Sequence, residues 1–284
     1  MTTGSVVTAS KGDLAVSGIS ADGVCVLEVP EAGEWVVSAT LGDRSSLTQT
    51  VTVVDRYTAS LSYLTPLGEL AVGSSVYVNV NGTPSECIVV QQGLPSDIYD
   101  SSCDGTWLWM RQCRTQGYWQ SSSAYVHGFD TSAIMRYCKT TLIGQMDSYV
   151  QSVVKTVCIP YRPESGSDVR TGSSGYSTKA FPLSATEFGC TTFDNQLVGN
   201  EGVRLAYFSA DTAGNALRIA TVNGNAVQHW TRTPYSHSTA SSHCVSTAGA
   251  LTTGAVSDQY YYSPAFILPP TVYVTDDRQI VEVD

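Results

Sequence analysis

Three of the four histidines in this sequence, His229, His237 and His243, crowd toward its end, and Cys244 lies beside the last of them. Imidazole nitrogens and a thiolate are donors that zinc accepts, so the cluster invites a metal reading. The spacing does not suit a compact site on one element, and no Asp, Glu or further Cys completes the set. No metal and no cofactor are therefore expected. His229, next to Trp230, is read as structural, and His237 and His243 as surface contacts. Asp97, Asp100 and Asp104 are the densest carboxylates near aromatic residues. A carboxylate pair astride a glycosidic bond could hydrolyse it, but spacing along the chain does not establish a shared cleft, and a solvated loop is the plainer reading. The tryptophans of "TWLWM" and "GYWQ" could form a sugar platform, yet at strand spacing they read as core. No G-x-S-x-G elbow, phosphate loop or H-E-x-x-H helix occurs, so no catalytic residues are expected and the chain is not read as an enzyme.

A different chemistry runs from Tyr235 to Ser263. This stretch is built mostly of Ser, Thr, Ala, Tyr, Gly and His, with Asp258 as its single Asp, Glu, Lys or Arg. A solvated loop usually carries Lys and Glu, and a core segment carries Leu, Ile and Val at a regular period. Neither pattern is present. Tyrosine offers large amphipathic contact area at low entropic cost, and Ser and Gly offer adaptable hydrogen bonding, the alphabet that antibody paratopes use. The candidate ligand-binding residues are Tyr235, His237, Ser238, Ala240, Ser241, His243, Ser246, Thr252, Thr253, Ala255, Asp258, Tyr260, Tyr261 and Tyr262. They are expected to form one contiguous, mostly uncharged patch on one side of the domain. At strand spacing Tyr260 and Tyr262 share a face and Tyr261 takes the other, so some of these rings should be exposed. A disordered Ser/Thr tether with all three tyrosines in the core is the alternative.

The elements that would hold such a surface fall into two segments. The 284 residues are 42% hydrophobic, enough for one large or two ordinary packed domains. The net charge of -10 comes from 25 acids and 15 bases without a basic stripe, which argues against nucleic acid and anionic lipid as partners. No apolar run approaches the roughly 20 residues that span a bilayer, so no membrane insertion is expected, and "MTTGSVVTASKG" does not read as a signal peptide. Eight dispersed cysteines, without a C-x-x-C pair, read as buried free thiols.

Residues 1–65 read as short strands: "SVVTAS", "LAVSG", "GVCVLEV", "EWVVSATL", "LTQTVTVV" and "YTASLSYL". Turn residues interrupt them about every 8 to 12 positions, the pattern of an all-β sandwich, with Trp35 as core anchor. After "TPLGELAVGSSV" the pattern changes, and residues 66–284 read as an α+β domain. "VYVNV", "ECIVV" and "TWLWM" read as strands. "DTSAIMRYCKTTLIGQMDSYVQSVV" reads as helices, with Ile134, Cys138, Leu142, Met146, Val150 and Val154 facing the core. Asp130 and Asp147 stand at N-cap positions and Gly144 as a break between helices. "LSATEFG" suggests a short helix near Ser184, and "VRLAYFSA" a strand. "ALRIATVNGNAVQHW" suggests strands turning at Asn223-Gly224, and "TVYVTDDRQIVEV" a hairpin around Asp276-Asp277.

Two resemblances add to this. The string "VPEAGEWVVSATLGDRSSLTQTVTVVD" resembles the immunoglobulin-like or carboxypeptidase-regulatory-like modules of phage tails and bacterial surface proteins, implying an Ig-like spacer or attachment domain. Between Ala71 and Pro270, "VNGTPSECIVVQQGLPSDIYDSSCDGTWLWM", "VCIPYRP", "KAFPLSATEFG", "LAYFSA", "RIATVNGNA", "HWTRTP" and "SPAFILP" occur in this order. Together they resemble an uncharacterised domain family abundant in phages and prophages of gut bacteria. The ending is similar to the variable proteins of diversity-generating retroelements, whose C-type-lectin-like fold, shared with formylglycine-generating enzymes, displays a hypervariable surface on a constant scaffold. The resemblance makes Trp230, Arg232, Thr233 and Pro234 one boundary of the variable segment, and Pro264, Ala265 and Phe266 the other.

It also explains the composition of 235–263. Adenine-directed mutagenesis of AAY codons reaches Tyr, Ser, His, Thr, Ala, Asp and Gly but not Lys, Glu, Gln, Met or Trp, and Gln259 is the one excluded type in the segment. The calcium-binding motifs of C-type lectins and the paired cysteines of formylglycine-generating enzymes have no counterpart here, Cys190 included. The expectation is a ligand-binding or receptor-binding protein, on a phage tail or displayed outside the cell, that recognises a bacterial surface molecule. By the same resemblance it could act as a homotrimer. An enzyme acting on surface glycans and a structural tail or adhesin module are the alternatives.

Overall fold

A computed structural model gives the fold and describes residues 4–21, 24–30, 33–41, 44–45, 48–53, 64–120, 129–163, 167–238 and 240–283. The chain divides into two compact units, Met1–Ser62 and Tyr63–Asp284.

In the first unit, β1 (Val6–Lys11), β2 (Leu14–Ile19), β3 (Gly33–Leu41), β4 (Arg44–Ser45) and β5 (Gln49–Val53) form one antiparallel sheet. β1 lies between β2 and β3, and the far edge of β3 takes both β4 and β5. The turn between β1 and β2 uses Gly12 at φ 58°, which a residue without Cβ adopts freely. Val7, Ala9 and Trp35 lie on one face and are buried, so Trp35 anchors this sheet as expected. The described residues of "GVCVLEV", 24–29, form no strand and contribute only an isolated bridge between Ala21 and Val24. Of "YTASLSYL", all but Leu64 lies outside the described residues. The described residues therefore supply one sheet rather than two facing ones.

The second unit is also strand-rich. Its first strands are β6 (Thr65–Pro66), β7 (Ser75–Val80), β8 (Thr83–Gln92), β9 (Thr106–Met110) and β10 (Gln116–Tyr118). A helical stretch follows: α1 (Ala133–Arg136), a π-helical run at Tyr137–Leu142, α2 (Ile143–Gln145) and α3 (Ser148–Val153). Then come β11 (Val157–Ile159), β12 (Tyr176–Thr178), β13 (Ala180–Pro182), β14 (Thr192–Phe193), β15 (Gln196–Leu197), β16 (Ala220–Val222) and β17 (Asn225–Val227). The last strands are β18 (His229–Pro234), β19 (Ser241–Val245), β20 (Leu251–Ala255), β21 (Gln259–Tyr261), β22 (Pro264–Leu268), β23 (Tyr273–Val274) and β24 (Ile280–Val281).

Two five-stranded sheets dominate, ordered β13-β22-β9-β8-β7 and β10-β21-β18-β19-β20. In the first, β9 and β22 are buried along their whole length, which is why "TWLWM" and "PAFIL" read as continuous runs rather than alternation. Trp109 on β9 packs edge-on against Phe188 and Phe208 at 5.5 and 5.6 Å and lies 6.0 Å from the His229 ring on β18. The core therefore runs between the two sheets. Three tight turns hold two consecutive residues at positive φ, as type I′ hairpins require: Asn81-Gly82, Asp194-Asn195 and Asn223-Gly224. The Asn223-Gly224 turn was legible in sequence, and so was the β23–β24 hairpin around Asp276-Asp277.

The six apolar residues predicted to face the core from the helical stretch are buried. Their caps differ from expectation. Ser132, not Asp130, caps α1 by accepting the Met135 N–H at 3.1 Å. Asp147 stands at the α3 cap position, but its carboxylate accepts from Asn79 Nδ2 at 2.8 Å instead of from a backbone N–H of the helix. Gly144 lies inside α2, and the helix breaks at Met146, which is extended. The helix expected near Ser184 is a turn. Ser184 and Glu187 make the reciprocal bonds of a capping box, at 2.9 and 3.0 Å, but Gly189 at φ 81° turns the chain and the helix does not continue. "VRLAYFSA" is irregular, with Leu205 and Phe208 buried three residues apart, a spacing no strand face would give.

Candidate functional site

The residues that bracket 235–263 are among the most completely bonded in the molecule. Arg232 on β18 has no exposed surface, and all five of its N–H donors find acceptors. Nε bonds Pro160 O at 3.1 Å, Nη1 bonds Pro182 O at 3.0 Å and Glu187 Oε2 at 2.5 Å, and Nη2 bonds Glu187 Oε1 at 2.6 Å and Glu201 O at 2.9 Å. Burial alone would disfavour the guanidinium charge, but the equally buried Glu187 carboxylate outweighs it and holds the Arg232 pKa above its usual value. Tyr99 donates to Glu187 Oε1 at 2.9 Å, and burial followed by the Glu187 charge pushes its phenol well above the ordinary range. Such a pair is costly to disturb and does no chemistry on a ligand it cannot reach. Thr233 Oγ1 accepts the Ala185 N–H at 3.0 Å, and Trp230 Nε1 donates to Gly117 O at 3.0 Å.

At the other boundary Pro264, Ala265 and Phe266 lie buried in β22, where Phe266 pairs with Leu108. One boundary thus belongs to each sheet, and the segment between them is the path from one to the other.

The structure distributes the predicted contact residues over both faces of the second sheet. Residues in register across an antiparallel pair share a face, and successive residues alternate. Ser241 pairs with Ala255 and His243 with Thr253, placing these four on one face. Trp230 pairs with Cys244 and Cys244 with Thr252, which places Thr252 on the opposite face. Tyr260 joins that face: its ring centroid lies 4.6 Å from Trp230, and its hydroxyl donates to Asp258 Oδ2 at 2.9 Å. Burial, then the Asp258 bond, pushes its pKa up to about 12. The expected single patch is therefore corrected to two, because pairing alternates the side chains along β19 and β20.

On the first face, His237 and Ala255 are exposed, and Tyr235, Ser238, Ser241 and Thr253 are half-buried; Ala240, the residue before Ser241, is half-buried and accepts the Val256 N–H through its carbonyl. On the second, Thr252, Asp258 and Tyr260 are half-buried; Tyr118 of β10, 40% exposed, pairs with Gln259 and so lies on the face opposite Tyr260. Ser246 and Tyr261 are also half-buried.

Two predicted contact residues are core. Tyr262 is 6% exposed; its hydroxyl donates to Tyr118 O at 2.7 Å and its ring lies 4.9 Å from Tyr137 in the π-helical run. His243 is 3% exposed and lies with Tyr235 and Phe193 in an aromatic cluster, each ring 5.3 Å away. Burial lowers its pKa to about 4, so the ring is neutral near pH 7. Phe193, which walls this cluster, sits on β14, a hairpin far away in sequence, and nothing in its spacing pointed there. His229 is structural as expected: it is fully buried, with Nε2 3.0 Å from Arg218 O.

The other candidate chemistries resolve locally. Asp100 Oδ1 accepts the Ser102 N–H at 2.9 Å in a 3-10 turn, and the Ser102 hydroxyl followed by this N–H lowers its pKa. Asp97 and Asp104 are exposed. Burial pushes the Cys190 thiol up to about 11, away from the thiolate that nucleophilic chemistry needs. Trp107, Trp109 and Trp119 are fully buried. Among the described residues, no three His, Cys, Asp or Glu side chains are placed to share a metal ion, and no helix is long and apolar enough to cross a membrane.

No curated protein and no solved structure matches the chain. A family model does match residues 104–270, more than half of the sequence. That span includes the core strands β9 and β22, the Arg232 network and the whole segment between the boundaries. The chain belongs to the family described as Domain of unknown function (DUF6273).

Proposed function

We propose that this chain is a non-enzymatic recognition protein whose second sheet displays a small-polar, tyrosine-bearing surface to a macromolecular ligand. One observation carries the reading. Trp230 and Arg232 are fully buried and bonded, and the segment between the boundaries sends Cys244, Val245, Val256 and Tyr262 into the core while its other side chains are mostly small and partly exposed. A scaffold so fixed tolerates substitution between its anchors, which a surface selected for variable contacts requires. In this reading the second unit is a C-type-lectin-like domain and the first an Ig-like spacer. The resemblance of the two boundaries to those of retroelement-diversified proteins supports a receptor-binding role on a phage tail or in extracellular display. The ligand is then a bacterial surface molecule, and a homotrimer would add avidity.

The test replaces His237, Thr253 and Ala255 together by serine. The melting temperature should stay nearly unchanged, since such sites usually move stability by less than about 0.5 kcal/mol each. Adsorption to the host strain, measured by flow cytometry of labelled protein, should fall. Unchanged adsorption, or an unfolded variant, removes this face from the proposal. Independently, a near-copy of the 235–263 coding segment that differs at adenines, beside a reverse-transcriptase gene, is the expected genomic signature.

A further inference from the structure

A cleft of about 500 Å³ opens beside the β14–β15 hairpin, lined by Arg162, Thr186, Thr191, Leu197, Gly199 and Asn200 among others. Leu197 stands 84% exposed at this cleft. Next to Gly199 lie two buried polar groups left without partners. Glu201 has no exposed surface; its Oε1 accepts the Arg162 backbone N–H at 2.8 Å, while Oε2 has no hydrogen-bond partner among the described residues. Arg162 Nε is buried and equally unpartnered. Burial raises the Glu201 pKa and outweighs the opposing pull of the Arg232 charge, the Thr233 hydroxyl and the Arg162 N–H.

Gly199 puts no side chain between this pair and the cleft. A methyl group built on it would lie 3.1 Å from Arg162 Nη2 and 3.9 Å from Glu201 Oε2. Buried polar groups without partners are costly, so a ligand that satisfies both is favoured. Thr186 donates its hydroxyl to Gly199 O at 2.8 Å, and Thr191 to Asp211 Oδ1 at 2.8 Å. What these two hydroxyls still offer the cleft is lone pairs, so the ligand should carry several donors.

We propose that this cleft binds a neutral polyhydroxylated ligand, a sugar residue, through neighbouring hydroxyls that donate to Glu201 Oε2 and accept from Arg162. A small anion would meet the Glu201 carboxylate, and an ammonium would meet the Arg162 guanidinium. A hydroxyl both donates and accepts, so two adjacent hydroxyls serve the mixed pair without introducing charge. Leu197 supplies the apolar wall against which the C–H face of a sugar packs. None of the residues named here belongs to 235–263, so the proposal stands independently of the display surface.

The test is nuclear magnetic resonance of the full chain, following the Arg162 Nε–H and the Gly199 and Asn200 amides. The titrants are the methyl glycosides of glucose, galactose, mannose and N-acetylglucosamine, with sodium acetate, inorganic phosphate and ethylammonium as ionic arms. At least one glycoside should give saturating shifts confined to these signals, and the ionic arms none. Gly199 is not in the left-handed region, so Gly199→Ala should fold while closing the approach, and the shifts should vanish. Glu201→Gln keeps an acceptor for the Arg162 N–H but loses the carboxylate, and should weaken binding roughly tenfold. Leu197→Ser, at an exposed position, should weaken it severalfold, and decides the matter should Gly199→Ala fail to fold. No response to any glycoside, saturation by acetate or phosphate alone, or unchanged affinity in Leu197→Ser or in folded Gly199→Ala overturns the proposal.

Discussion

Replacing Arg232 by lysine tests whether the second sheet is held by geometry or merely by charge. The guanidinium satisfies five acceptors, three of them the backbone carbonyls of Pro160, Pro182 and Glu201 and two the oxygens of Glu187. An ammonium keeps the charge but has three donors on one nitrogen, so at least two of the five bonds are lost. A hydrogen bond to a charged group is worth about 1.5–3 kcal/mol, so the loss of two places Arg232→Lys at about 3–6 kcal/mol. That is a large share of the roughly 5–15 kcal/mol that holds a typical domain together. Urea unfolding followed by tryptophan fluorescence is the assay. Trp107, Trp109, Trp119 and Trp230 report the second unit and are all fully buried. The midpoint should fall sharply with the slope kept. A loss under about 0.5 kcal/mol, the range of ordinary surface changes, would refute the reasoning, because the bonds to the carbonyls would then be dispensable.

Trp230→Ala and Phe266→Ala should each cost roughly 3–5 kcal/mol in the same assay, and a variant that keeps its stability but loses ligand binding would place that residue in the site instead. Acidification should destabilise the fold through His229 and His243, whose pKa values burial lowers to about 4. The unfolded rings titrate near 6.5, so the stabilisation is complete above about pH 6.5 and is lost as pH falls through about 4, worth roughly 3 kcal/mol per ring. Glu201, raised by burial, acts in the opposite sense. A urea midpoint that stays level from neutral pH to about pH 4.5, or an unchanged slope in His243→Gln, would contradict the assignment. Limited proteolysis should leave a folded fragment beginning no later than Thr65. Thr65–Pro66 pairs with Tyr273–Val274 and Leu67 is fully buried, so cleavage at "LTPLGEL" itself would be unexpected.

Local grammar was enough for features whose cause is local. The Asn223-Gly224 turn, the Asp276-Asp277 hairpin and the core face of the helical stretch follow from φ preferences and apolar periodicity, which are properties of a few neighbouring residues. The burial of Trp35, Trp230 and Phe266 followed from size and apolarity. Local signals failed where the chain turned early or a distant partner intervened. Ser184 and Glu187 carry the signature of a helix start and make both of its bonds, but Gly189 at φ 81° turns the chain after one turn, and the Glu187 carboxylate is bound by Arg232 from a distant strand. His243 and Tyr262 sit in a polar, surface-like string, yet Phe193 and Tyr137 bury them from remote elements. The composition of 235–263 marked the segment but not its geometry. Only strand pairing decides which side chains share a face, and the registers of β18 with β19 and of β19 with β20 send Thr252 and Thr253 to opposite sides. The pairing of Arg162 with Glu201 left no trace in the sequence, because the two meet across 39 residues through one backbone hydrogen bond beside a glycine.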